Sequence, residues 1–283
     1  MLAGLKDVLR NARAQHYAVP AFDCVEDILI RTILDTTEAH NSPVILMVLE
    51  HDLKGRGIDY IASMVKGVAG NYKQPVVLHL DHASSMESVR RAIDYGFTSV
   101  MFDASMMSFE ENVAYTKAVV EYAHAKGVDV EAELGHVAGK NLDGTETTGT
   151  LLTEPGEVLD FVNKTQVDAL AVSIGTSHGV YAATPNLNIA RLKEINQISP
   201  VPLVLHGGSG TPVGQVQEAI VNGIAKVNLY ADLRVALLKG LKEAVLKQTR
   251  IDPLPDELFQ LTKASLESVI VEKIEMTYSG DRI

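Results

Sequence analysis

The chain holds one cysteine, Cys24, so a disulfide framework is excluded. It has no Lys/Arg run and no basic stripe. Its 25 Lys and Arg stand against 36 Asp and Glu, a formal net charge of −11. Nucleic acid and anionic membrane surfaces are therefore poor partners. A small anionic substrate can still be held locally, by a metal or by backbone N–H groups. No uninterrupted apolar stretch is long enough to span a bilayer, and no secretory apolar region stands at the N-terminus. A cytoplasmic location is expected. No low-complexity segment or linker interrupts the chain, so residues 1–283 are expected to form a single domain. No dinucleotide fingerprint follows the first expected strand, which counts against a doubly wound open sheet.

What is there is an alternation. Apolar and β-branched runs at 17–23, 43–49, 75–82, 98–103, 128–134, 168–174, 201–206 and 225–230 read as buried strands. Helical periodicity fills 26–40, 58–72, 86–95, 110–126, 154–164, 188–198, 213–222 and 232–248. An amphipathic helix is expected at residues 1–9 and one more helix within 251–283. Eight strands alternating with helices is the count of a (β/α)8 TIM barrel, class α/β, here with an N-terminal helix and a C-terminal helical extension. The polar, glycine-rich span 135–153 is long for a barrel loop, and such loops tend to be functional.

The strand ends carry the chemistry. The third run ends in Asp81-His82. Asp81 can be a cap for the helix that follows. It can also be a site residue, since ligands bind at the carboxyl ends of barrel strands. The fourth run ends in Asp103, the fifth carries Glu133, the sixth leads into His178, the seventh ends in His206 and the eighth carries Asn228. Six consecutive strands thus place a polar group at one end of the barrel, where a core has no use for it. Three imidazoles, His82, His178 and His206, suit a catalytic zinc with one position left open. Asp103 and Glu133 can hold a second cation, and Asp81 is then free to move protons. His16, His40 and His124 read as solvated. His51 and His136 can line the pocket but have no ligand-like neighbours. His79 reads as a packed interior residue. The turn Gly207-Gly208-Ser209-Gly210 opens a helix after the seventh strand, where barrel phosphate sites recur.

At these residues the sequence resembles the class II, zinc-dependent ketose-bisphosphate aldolases, which include fructose- and tagatose-bisphosphate aldolases. The resemblance runs nearly the full length. It is carried by residues 17–22, 78–82, 130–135, 175–179, 205–210 and 226–228. It implies a lyase that reversibly cleaves a phosphorylated ketose to dihydroxyacetone phosphate and an aldehyde. Asp81 would be the catalytic acid/base, and His82, His178 and His206 the ligands of a catalytic zinc. Asp103 and Glu133 would bind a second divalent or monovalent cation. Gly179, Gly207, Gly208, Ser209 and the segment Asn228, Leu229, Tyr230, Ala231 would contact the dihydroxyacetone phosphate half. The partner is a small phosphorylated sugar, and the expected assembly is a homodimer or homotetramer.

The departures bear on the substrate. The family usually has Thr at position 231, Ser at 49 and Asn at 23; here stand Ala231, Leu49 and Asp23. The loop at 138–143 differs as well. Leu49 offers a distal phosphate no hydrogen bond, and Glu50 beside it would repel one. A longer or non-phosphorylated aldehyde is therefore expected to be handled better than glyceraldehyde 3-phosphate. Arg282 is the candidate cation should a distal phosphate bind in a neighbouring subunit. Lys226 is read as beginning the eighth strand at the end away from the site, so no Schiff-base lysine is expected. Two rivals are a metal-dependent TIM-barrel hydrolase and a non-catalytic sugar-phosphate-binding partner subunit. The hydrolases commonly take a His-x-His pair from the first strand, and residues 18–23 hold no histidine.

Overall fold

The computed structural model describes residues 2–137, 139–140, 146–147, 151–177, 179 and 184–283. Eight parallel strands close into a barrel: β1 (Val19–Asp23), β2 (Val44–Leu49), β3 (Val76–Ala83), β4 (Ser99–Phe102), β5 (Asp129–Leu134), β6 (Ala169–Val172), β7 (Leu203–Leu205) and β8 (Ile224–Leu229). Each strand pairs with its neighbours in chain order, and β8 pairs with β1 to close the circle. β6 and β7 are shorter than the apolar runs suggest: β6 stops before Ser173, and β7 starts after Pro202, which has no N–H for the ladder, and stops before His206.

The helices that follow the strands are α2 (Asp27–Ala39), α3 (Gly57–Val68), α4 (Met86–Asp94), α5 (Phe109–His124), α6 (Pro155–Thr165), α7 (Ile189–Ile198), α8 (Val213–Val221) and α9 (Ala231–Lys247). They cover the outward faces of the strands and form one continuous apolar shell with them. α10 (Pro255–Thr277) is the expected C-terminal extension, and it begins with proline, which costs nothing at the first position of a helix. It lies close along α9. A Cβ added at Gly240 would stand 2.5 Å from the Thr262 Cα, so only glycine permits this approach.

The N-terminal helix α1 (Leu5–Ala14) starts later and ends later than residues 1–9. Leu5, Val8, Leu9 and Ala12 recur at helical spacing and are buried. They plug the N-terminal end of the barrel, packing with Tyr17 against the inward-facing Val19, Ala21, Ile45, Met47, Val77, Ala169, Ala171, Val204 and Ala225. Strand alternation then carries the interior upward into polar side chains: His79, Asp81, Ser99, Glu131, Glu133, Lys226 and Asn228, with His206 just past β7, all buried. The barrel interior is thus apolar at one end and ionisable at the other. Among the described residues no helix is long and apolar enough to cross a membrane.

Candidate active site

Alternation along β3 would send Asp81 and His82 to opposite faces. A bulge prevents this. Leu80 pairs with Val100, yet the next pair is Ala83 with Phe102, and His82 takes a φ of +48°. Such a conformation is strained for a residue with a Cβ, and it re-aims the side chain. Both groups therefore meet in one site. Asp81 is no cap: Ser85 caps α4, its side chain accepting from the Ser88 N–H.

Asp81 is 3% exposed. Asn228 Nδ2 donates to its Oδ1 at 3.2 Å, and His82 Nε2 lies 3.9 Å from its Oδ2. Burial works to raise its pKa, but His82, Lys226, His206 and His79 outweigh burial and hold it below the usual range. Asp81 is therefore a carboxylate at neutral pH, ready to accept a proton.

His82 Nδ1 lies 2.8 Å from Asp103 Oδ2, while Asp103 Oδ1 accepts from the backbone N–H and hydroxyl of Ser105 at 3.0 and 2.7 Å. Burial lowers the His82 pKa, but Asp81, Asp103 and Glu133 overcome it and push it up to about 10. The same contacts with His82 and Ser105 outweigh burial and hold Asp103 well below the usual range. The His82 and His206 rings meet edge to face, centroids 4.8 Å apart. His206 Nδ1 lies 3.3 Å from Glu133 Oε2, an oxygen that is buried and makes no hydrogen bond among the described residues. One ligand atom each from Asp81, His82 and His206 falls within 4.8 Å of the others, and the same holds for His82, Asp103 and Glu133. Two imidazoles beside an orphaned carboxylate oxygen fit a zinc-type cation. His178 lies outside the described residues.

Below this layer sits a group that the strand-end comparison missed. Lys226 does not mark the far end of the eighth strand; it is the third residue of β8 and wholly buried in the interior. Its Nζ lies 2.7 Å from Glu131 Oε2, and Glu131 Oε1 lies 2.9 Å from His206 Nε2. His79 is interior, as expected, with Nδ1 2.8 Å from Ser99 Oγ and Nε2 3.4 Å from Lys226 Nζ. Burial and then the Lys226 ammonium hold His79 down to about 3, so it is neutral. The spacing Glu131-x-Glu133 was the available signal: two carboxylates on one face of a buried strand.

The other histidines divide. His16 and His51 are exposed. His124 is not simply solvated, since its Nε2 meets Asp168 Oδ2 at 2.7 Å near the N-terminal end of the barrel. His136 does have neighbours: its Nδ1 is 3.1 Å from Ser105 Oγ and 4.0 Å from Glu133 Oε1.

The glycine turn lies between β7 and α8. Gly207 has φ +67°, and a Cβ there would run into the Ser177 carbonyl. The Gly208 N–H donates to the Asn228 carbonyl at 3.1 Å. The turn does not open the helix directly, because α8 begins at Val213 with Pro212 as its cap. Ser209 Oγ instead accepts from the Tyr230 and Asp232 N–H groups at 3.1 and 3.4 Å, which ties the turn to the start of α9. A cavity of about 620 Å³ opens here, lined by Gly179, Ser209, Gly210, Ala231 and Asp232, and runs along α9 and α10 as far as Lys273. Leu229 faces the other way: its side chain belongs to the outer apolar shell, so only its backbone can serve the site.

One expectation about the distal end changes. Glu50 is not a loose repelling charge, because Ser84, Ser85 and Ser88 all donate to its carboxylate at the start of α4. Arg282 lies over the Tyr17 ring, 5.1 Å from its centroid, at the opposite end of its own barrel. Arg234, an exposed cation on α9, stacks 5.2 Å from the Tyr230 ring centroid.

Residues 3–282 match the family model described as fructose-bisphosphate aldolase class-II. The chain is 42% identical to the fructose-bisphosphate aldolase of Geobacillus stearothermophilus over 256 residues, 89% of each protein. It is also 42% identical to that of Staphylococcus aureus over 247 residues, 86% of each. Among solved structures, the YdjI aldolase from Escherichia coli K12 superposes with a TM-score of 0.89 at 32% identity, covering 100% of this chain and 99% of that one. The fold, the strand-end acids and imidazoles and these relatives agree: the chain belongs to the class II fructose-bisphosphate aldolase family and is a metal-dependent aldolase.

Proposed function

We propose that this aldolase acts on ketose 1-phosphates in preference to bisphosphates, with Asp81 as its acid/base. The observation that carries the acid/base role is Asp81 itself: a buried carboxylate, hydrogen-bonded by Asn228, beside the ligand atoms of His82 and His206. In cleavage Asp81 takes the proton of the hydroxyl that becomes the aldehyde, and in synthesis it returns that proton. His82, His178 and His206 would hold a catalytic zinc, which when bound supplies Lewis acidity toward the ketone side of the substrate. Asp103 orients His82 and, with Glu133, offers a place for a second cation. Gly179, Gly207, Gly208, Ser209 and the segment from Asn228 to Ala231 would hold the phosphate of the dihydroxyacetone half through backbone N–H groups and the Ser209 hydroxyl.

The distal half has no comparable cradle among the described residues. Leu49 cannot hydrogen-bond through its side chain, Glu50 is tied to α4, and the Arg234 charge already acts on Asp23 and Asp52. The assembly is proposed to be a homodimer or homotetramer. Val235, Leu238, Val245 and Leu246 on α9, with Ile251 and Leu254 after it, form an exposed apolar surface of the kind that subunits cover. A cytoplasmic location fits the lone, buried Cys24. The test is kcat/KM for fructose or tagatose 1,6-bisphosphate against the corresponding ketose 1-phosphates. The 1-phosphates are expected to exceed the bisphosphates. A clear bisphosphate preference, lost on removing the distal phosphate, would overturn the reading.

A further inference from the structure

Asp23 ends β1, and its side chain follows Val19 and Ala21 into the barrel interior. Neither carboxyl oxygen has a hydrogen-bond partner, and among the described residues no other buried side chain has both oxygens orphaned. Buried polar groups in folded proteins are nearly always paired, so an orphan of this kind needs a reason. The Cys24 N–H beside it is given to the Met47 carbonyl at 3.1 Å, and the buried side chains around it add acceptors. Asp52 Oδ2 and Asn228 Oδ1 are also buried without a partner. Burial, Asp52 and Asp81 together push the Asp23 pKa well above its ordinary value, and the Cys24 N–H and the Arg234 charge offset only part of this.

The position of Asp23 around the barrel says what it can meet. The metal-type groups occupy β3, β5, the end of β7 and the turn after β4. The glycine turn stands between β7 and β8. In the closed circle the widest arc left over is β1 and β2, flanked by Asn228 on one side and Asp81 on the other. If the dihydroxyacetone phosphate half lies toward the glycine turn, as proposed above, the other half of the ketose must extend from Asp81 toward this arc. Asp23 pairs in register with Met47 of β2 and stands two residues beyond Ala21, the register partner of Asn228, so it lies above Ala21 in the barrel interior.

We infer that Asp23 is a specificity-determining residue: it hydrogen-bonds a hydroxyl group of the aldehyde half, so that the enzyme selects hydroxylated aldehydes over their deoxy counterparts. A hydroxyl can donate to one Asp23 oxygen while accepting from a protonated carboxyl, which satisfies a group the protein leaves unsatisfied. Asn, the family's usual residue here, presents one acceptor oxygen and two donors. Asp23 therefore suits a ligand rich in hydroxyl donors beside Asp52 and Asn228. A site built to bond a hydroxyl discriminates strongly against the analogue lacking it, because its own polar group is then left unpaired.

The inference rests on the proposed placement of the dihydroxyacetone phosphate half, and the experiment separates the two. The zinc-loaded full chain is assayed in the synthetic direction with dihydroxyacetone phosphate and propanal, 2-hydroxypropanal or glyceraldehyde. For the parent, kcat/KM should rise at least about tenfold from propanal to the hydroxylated aldehydes. In Asp23→Ala this ratio should fall toward one. In the near-isosteric Asp23→Asn, which carries the test if the alanine variant does not fold, it should fall to an intermediate value. A ratio unchanged in both variants overturns the inference, as does an equal loss on all three aldehydes. Exchange of dihydroxyacetone phosphate C–H hydrogen with deuterated solvent, measured on the parent without any aldehyde, tests the placement alone. Absent exchange brings down the placement and Asp23 with it. Exchange with an unchanged ratio brings down Asp23 only.

Discussion

Lys226 Nζ lies 2.7 Å from Glu131 Oε2, and both side chains are wholly buried inside the barrel. The carboxylate is shared: its other oxygen holds His206 Nε2, which leaves His206 Nδ1 facing Glu133 and the His82 ring. A carboxylate behind a metal-binding imidazole fixes ring orientation, and losing it typically costs 10–100-fold in metal affinity. Lys226→Met alone should be strongly destabilising, about 3–5 kcal/mol, because it strands a buried charge. Removing both charges in Glu131→Met/Lys226→Met should recover most of that stability while zinc affinity stays low. Urea denaturation and competition with a chelating dye measure the two quantities. If zinc affinity recovers along with stability, the pair only supports the barrel.

Metal removal is the simplest check on the imidazole cluster. Chelation should abolish activity, and zinc or cobalt should restore it, since two imidazoles and nearby carboxylate oxygens converge within 4.8 Å. Full turnover in a chelator, with no metal found by elemental analysis, would rule the zinc reading out.

The barrel and the cluster at its mouth were legible because both depend on strand position. Runs of apolar residues mark the strands, and polar residues at their ends have nowhere to go but the mouth. What escaped depends on relations between strands. Lys226 follows Ala225 and looks like the start of a strand; only its place in the closed sheet brings it to Glu131, several strands away. The bulge at His82 leaves no local mark, because it shows only in how β3 is registered against β4. The outward side chain of Leu229 was readable. It sits between Asn228 and Tyr230, so alternation alone turns it outward. The engagement of Glu50 was also readable, since Ser84, Ser85 and Ser88 supply three hydroxyls around the start of α4.

Asp81→Ala should retain the fold and bound metal but lose turnover by about 10²-fold or more, the usual worth of a general acid/base. Among the described residues only Asn228 donates a side-chain hydrogen bond to this carboxylate. Metal content and kcat are the paired readouts. A variant that turns over like the parent would reduce Asp81 to a buried structural charge.

The last prediction concerns pH and lies away from the site. Asp168, just before β6, receives Lys6 Nζ at 2.7 Å, His124 Nε2 at 2.7 Å and the Val130 N–H at 2.9 Å. Burial works to raise its pKa, but these contacts overcome it and hold the carboxyl below the usual range. A carboxyl depressed in the folded state stabilises fully above its unfolded pKa, about 3.9. That contribution fades as pH falls through the folded value. Asp168→Asn keeps the shape and removes the charge, so it should cost about 2 kcal/mol at neutral pH, the scale of a hydrogen-bonded charge. The gap between parent and variant should hold from pH 7 down to about 5 and close progressively below about pH 4. Urea denaturation of both proteins across that range, in chelator so that zinc loss does not intrude, measures it. A gap that stays constant into acid would mean that Asp168 acts through packing, and that α1 is not pinned to the barrel by charge.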